Sequence, residues 1–125
     1  MDKVVKIGEK EYKMKSSAWT LFSYKNEWKK DLLKDFKSIY ALFSNIDITD
    51  KENIKQELKE DKLLDVMDMS SDMIETLTQL AYTMIKEADK NQVESYESFL
   101  KGIDNLFSKS SDWINEVVEL GISLF

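Results

Sequence analysis

Residues 71–89, SDMIETLTQLAYTMIKEAD, constrain the fold more than any other stretch. At about 100° per residue, Met73, Ile74, Leu77, Leu80, Ala81, Met84, Ile85 and Ala88 fall within an arc of about 140° on a helical wheel. That stripe predicts an amphipathic helix opened by Ser70 or Ser71. Tyr82 stands on the opposite face, among Glu75, Gln79 and Lys86. A large ring on a polar face needs a cover, from the same chain or from another one.

The other segments also favour helices, because Pro is absent and Gly occurs only three times. Residues 4–14, VVKIGEKEYKM, are the exception. Val5, Ile7, Tyr12 and Met14 alternate with charged residues, as half-buried strands do. Gly8 suits the turn of a hairpin because it adopts positive φ without strain. A lone hairpin is marginal in water, so this one must pack on the helices that follow. Ser16 or Ser17 caps the next helix. Leu21, Trp28, Leu32, Phe36, Ile39, Tyr40 and Phe43 share one face over 17–44, but Lys25 and Lys29 fall on that face too. A buried stripe rejects two lysines, so a break is expected near Lys29–Asp31, with helices over 17–29 and 31–44. Residues 45–62 are charge-dense, and Thr49 to Glu52 matches a capping box for a short helix over 50–60. Asn91 to Glu94 caps a helix over 93–107 carrying Tyr96, Phe99, Leu100, Ile103 and Leu106. Ser110 or Ser111 caps a last helix, 112–124, with Trp113, Val117, Leu120 and Leu124 inward.

The expected class is α+β, mainly α, with an N-terminal β-hairpin packed on a bundle of about five helices. The chain reads as one domain over its 125 residues. Within it lie a hairpin at 3–15, a first helical pair at 16–44, a charged connector at 45–65 and a helical bundle at 66–125.

Much chemistry is excluded. The chain has no His and no Cys, which removes the common general base, thiolate ligands and the Ser-His-Asp and Cys-His pairs. The glycines are too dispersed for a phosphate loop. Asp47, Asp50 and Glu52 lack the spacing of a calcium loop. We expect no catalytic residue, no cofactor and no metal. A formal charge of −6 argues against nucleic acid. The richest basic stretch, KNEWKKDLLKDFK at 25–37, sets five lysines against Glu27, Asp31 and Asp35 and reads as a solvated helix face. The N-terminus lacks the apolar core of a signal peptide, and no apolar run reaches the ~20 residues of a membrane span. The expected setting is therefore cytosolic.

What remains is sticky surface: six Met, three Trp, five Tyr and six Phe. Methionines adapt to varied apolar partners, and aromatic residues anchor interfaces. The partner-binding candidates are Trp19, which falls off the apolar stripe of its helix, Tyr82, Met67, Met69 and Trp113.

The layout resembles the tail assembly chaperones of long-tailed phages and prophages of low-GC Gram-positive bacteria. The resemblance runs in order through KIGEKEYKM, SAWTLFSYKNEW, LAYTMIKEADK, SYESFLKGID and WINEVVELGISLF. The family often has tryptophan where Tyr82 stands, and often has glycine between the first two helices where this chain reads WKKDLL. A proline frequently precedes the aromatic residue of KNQVESYESF, and here it is absent. The resemblance implies a non-enzymatic protein of the host cytoplasm that binds the tape-measure protein and keeps it soluble. It also implies recruitment of tail-tube protein through a frameshifted longer form, the end at Phe125 suiting the shorter product. A homo-oligomer is compatible with this role. The competing reading is a small acidic phage-encoded interaction module or an inhibitor of a host protein; mimicry of nucleic acid is disfavoured, since 18 basic residues interrupt the acids.

Overall fold

The computed structural model describes residues 1–42, 71–104 and 113–124. The 45–65 connector, the 50–60 helix, Met67, Met69, Leu106 and the cap at Ser110 or Ser111 lie outside the described residues. Within them the order is β1 (Asp2–Ile7), β2 (Lys10–Lys15), α1 (Ala18–Trp28), α2 (Leu32–Leu42), α3 (Ser71–Ala88), a 3₁₀ turn (Lys90–Gln92), α4 (Tyr96–Lys101) and α5 (Trp113–Ile122). The architecture is mainly α with a two-stranded antiparallel hairpin, as the pattern predicts.

The hairpin pairs Ile7 with Lys10 across a two-residue turn. Gly8 takes φ +65°, and Glu9 does not share that sign, as a II′ turn requires. Val5, Ile7, Tyr12 and Met14 are buried, while Val4 on the outer face is exposed. Burying each such side chain contributes on the order of 2 kcal/mol, which is what a lone hairpin lacks. β2 lies on α3, and β1 meets α5, where Lys3 Nζ sits 3.1 Å from Glu119 Oε2. Gln92 stitches the turn to β2: its Oε1 accepts from the Lys13 N–H at 2.8 Å. Its Nε2 donates to the Lys13 carbonyl at 2.9 Å and to the Ile85 carbonyl at 3.0 Å.

Ser17 is the N-cap of α1. Its Oγ accepts from the Trp19 N–H at 3.2 Å, and Thr20 Oγ1 accepts from the Ser17 N–H at 2.9 Å. The helix stops at Lys29, whose φ of 56° is left-handed and whose N–H reaches the Lys25 carbonyl at 2.9 Å. The break thus falls where the two lysines demanded it, and both are exposed. Asp31 then accepts from the Leu33 N–H at 3.0 Å and starts α2, which buries Leu32, Phe36 and Ile39.

α3 departs from its amphipathic pattern. Every residue from Thr76 to Ile85 is buried, polar ones included. Against it pack α1, α2, α4, α5, β2 and the 3₁₀ turn. Its polar side tolerates burial because Thr76, Thr78 and Thr83 return their hydroxyl protons to the carbonyls of Asp72, Ile74 and Gln79 at 2.8–3.0 Å.

α4 is shorter than the 93–107 span expected. Its cap is Ser95, whose Oγ accepts from the Ser98 N–H at 3.0 Å, in place of Asn91. Asn91 instead lies in the 3₁₀ turn capped by Asp89. Gly102 ends the helix. In α5, Gly121 allows close approach: a Cβ there would lie 2.8 Å from Cε2 and Cζ of Phe36.

Candidate functional site

α1 is a helix with two different faces. Its inner face is locked onto α3 by polar bonds more than by oil. The Tyr24 hydroxyl, fully buried, lies 3.3 Å from both Gln79 Oε1 and Asp35 Oδ2. Burial first, then the Asp35 carboxylate, pushes its ionisation well above the usual tyrosine range. Trp28 Nε1 donates to Thr83 Oγ1 at 3.0 Å. Glu87 accepts from Ser17 Oγ and from Thr20 Oγ1, each at 2.7 Å, so α3 holds the very residues that cap α1. Lys86 pairs with Glu27 at 2.8 Å, and Lys30 pairs with Glu75.

The outer face of α1 carries Trp19 and Phe22, exposed at 59% and 60%. Three residues apart on a helix, they are neighbours. Nothing about them serves the core, since the inner face alone anchors the helix. Lys25, Asn26 and Lys29 continue this exposed face, and among the described residues neither lysine makes an ion pair. The surface is therefore two rigidly mounted rings with cationic residues further along the same helix.

The other sequence candidates are placed differently. Tyr82 is covered by its own chain and is only 5% exposed. Its ring meets Trp28 at 5.8 Å, Tyr96 at 5.6 Å and Phe99 at 6.0 Å between centroids, with the Lys86 ammonium 5.0 Å from its own centroid. Its expected role as an exposed anchor is corrected: α1 and α4 close over the polar side of α3, and Trp28 and Tyr96 fill the gap. Trp113 is 1% exposed and is a core residue of α5, so it is no surface anchor either. Met67 and Met69 lie outside the described residues. Phe22 was missed, although it falls about 60° from Trp19 on the wheel and that angle was there to be read.

Among the described residues, no three acidic, His or Cys side chains converge as a metal site would require, and no helix is long and apolar enough to cross a membrane. Several carboxylates are committed to caps and ion pairs, as Glu27, Glu75, Glu87 and Glu119 illustrate. The arrangement can bind through apolar contact. No family model, no curated protein and no solved structure matches the chain.

Proposed function

We propose that this chain is a tail assembly chaperone, which binds a phage tape-measure protein in the host cytoplasm and keeps it soluble until tail-tube subunits assemble on it. The supporting observation is the exposed Trp19–Phe22 pair on a helix whose other face is fixed. A tape-measure chain presents long apolar helical faces that water drives together. Two large rings, each somewhat over half exposed, offer on the order of 5 kcal/mol of gross apolar contact before the costs of association. That is suited to a contact that forms, repeats along a long client and lets go. The net charge of −6 keeps loaded complexes apart by repulsion. In this reading a longer, frameshifted form recruits the tail-tube protein.

Co-expression with the tape-measure protein tests the proposal. The wild-type chain raises the soluble yield of the client several-fold, and the Trp19→Ser/Phe22→Ser double variant does not, while its circular dichroism stays that of the wild type. A wild-type chain without effect on the client sinks the reading. A double variant as effective as wild type removes the aromatic pair from it.

A further inference from the structure

The two edges of the hairpin are treated differently. Met1 and Ser16 exchange both backbone bonds, at 2.7 and 2.8 Å. Alternation along the ladder therefore turns the N–H and C=O of Asp2, Val4 and Lys6 away from β2, and those of Glu11, Lys13 and Lys15 away from β1. On the β2 side, Gln92 fills the place a neighbouring strand would take, with its amide bonded to both the N–H and the C=O of Lys13. On the β1 side, among the described residues, no group bonds to the outward backbone of Asp2, Val4 or Lys6. Val4, at the centre of that edge, is 56% exposed. Among the described residues, one edge is plugged and the other is open.

We propose that the open β1 edge pairs with β1 of a second copy of this chain, antiparallel about a two-fold axis passing beside Val4. In that register every outward N–H and C=O of Asp2, Val4 and Lys6 finds a mate, since the same residues of the second copy face back. Val4 meets Val4 of the second copy, and Asp2 meets Lys6 on both sides of the axis. The rows across the resulting four strands then alternate in sign: Lys15, Asp2, then Lys6 and Glu11 of the second copy. A slip of two residues either way leaves Lys6 or Asp2 without a mate and loses bonds. A slip of one residue sets outward groups against inward ones. Lys3, on the inner face, already has its ammonium at Glu119 and, at 4.0 Å, Glu116, so it gives up little solvent on pairing. An exposed strand edge is a ready template for another strand, and this one is complementary to itself in charge and in backbone bonding.

Sedimentation equilibrium of the full chain, from about 10 μM to about 1 mM, tests the dimer. Wild type shifts from monomer to dimer as concentration rises. Val4→Pro removes a donor that the monomer does not use and puts a ring where the second strand must lie, so it stays monomeric throughout. Asp2→Lys and Lys6→Asp each set like charges opposite one another and weaken self-association at least about tenfold. Mixing these two variants restores it, because each then faces its opposite charge. If Val4→Pro does not fold, amide exchange at Val4 in the wild type decides, slowing as concentration rises. A wild type that is monomeric at every concentration overturns the proposal, including the case in which the edge accepts only an extended peptide from another protein. So does a Val4→Pro variant that dimerises like wild type, a mixture that associates no better than its components, or an exchange rate indifferent to concentration.

Discussion

Trp28 Nε1 donates to Thr83 Oγ1 across 3.0 Å, and Thr83 passes its own proton to the Gln79 carbonyl at 2.8 Å. This relay joins α1 to the side of α3 that a helical wheel assigns to solvent. The interface between these helices is thus held by directed bonds, and a lost partner there is costly. Thr83→Val leaves the indole N–H without its acceptor and costs about 1–3 kcal/mol; Trp28→Phe costs a similar amount. The double variant costs less than the sum by about 1 kcal/mol, since the second change removes a group already orphaned. Urea denaturation of the four proteins measures the cycle.

Lys29 holds the left-handed conformation, φ 56°, that ends α1. A side chain there costs about 1–2 kcal/mol, part of which glycine gives back through the entropy of the unfolded chain. Lys29→Gly therefore stabilises by about 0.5–1 kcal/mol, read as a raised urea midpoint with unchanged slope. Gly8, at φ +65°, is the mirror case. Gly8→Ala meets no atom within 4 Å and still destabilises, by about 1 kcal/mol, through backbone strain alone.

Gly121→Ala drives a methyl group to 2.8 Å from the Phe36 ring edge. Overpacking of this kind costs about 1–3 kcal/mol. Combining it with Phe36→Leu, which withdraws the ring, makes the added cost of the alanine shrink. Thermal denaturation of both backgrounds shows whether the contact is the cause.

Tyr24, Tyr12 and Tyr96 all ionise above their ordinary value of 10.0, chiefly because burial disfavours the phenolate. Each folded-state value lies above the unfolded one, so the associated stability is complete below pH 10 and is lost as pH rises beyond it. In that window each of these tyrosines lowers stability by up to about 1.4 kcal/mol per pH unit. Lys30, raised first by its bond to Glu75, acts in the same direction. Tyr24→Phe makes the alkaline limb of a stability–pH curve shallower by roughly one proton, whatever it does at neutral pH.

The elements that one-dimensional patterns describe were legible. Alternation at Val5, Ile7, Tyr12 and Met14 marked the hairpin, and the misplaced Lys25 and Lys29 marked the break between α1 and α2. What was not legible is what one helix does to the next. The polar side of α3 reads as wet because Glu75, Gln79 and Lys86 lie there, yet each finds a partner on α1, on the link from α1 to α2, or within α3 itself. The clue was threonine: Thr76, Thr78 and Thr83 carry hydroxyls that the helix's own carbonyls satisfy, which makes a polar flank cheap to cover. Tyr82 is covered for that reason, and Trp19 stays exposed because no such covering acts on its side of α1. The cap of α4 falls later than the pattern predicts because Asn91 and Ser95 are equally good caps by type, and only the 3₁₀ turn that takes up Asn91 decides.

The enclosure of α3 has a consequence for how the molecule breathes. Amides from Thr76 to Ile85 sit beneath five other helical or turn segments and a strand, so no partial opening at the periphery lays them all bare. Deuterium should enter this stretch as a single slow class, at a rate set by complete unfolding. The shaft that ties the molecule together is also its most faithful gauge of total stability.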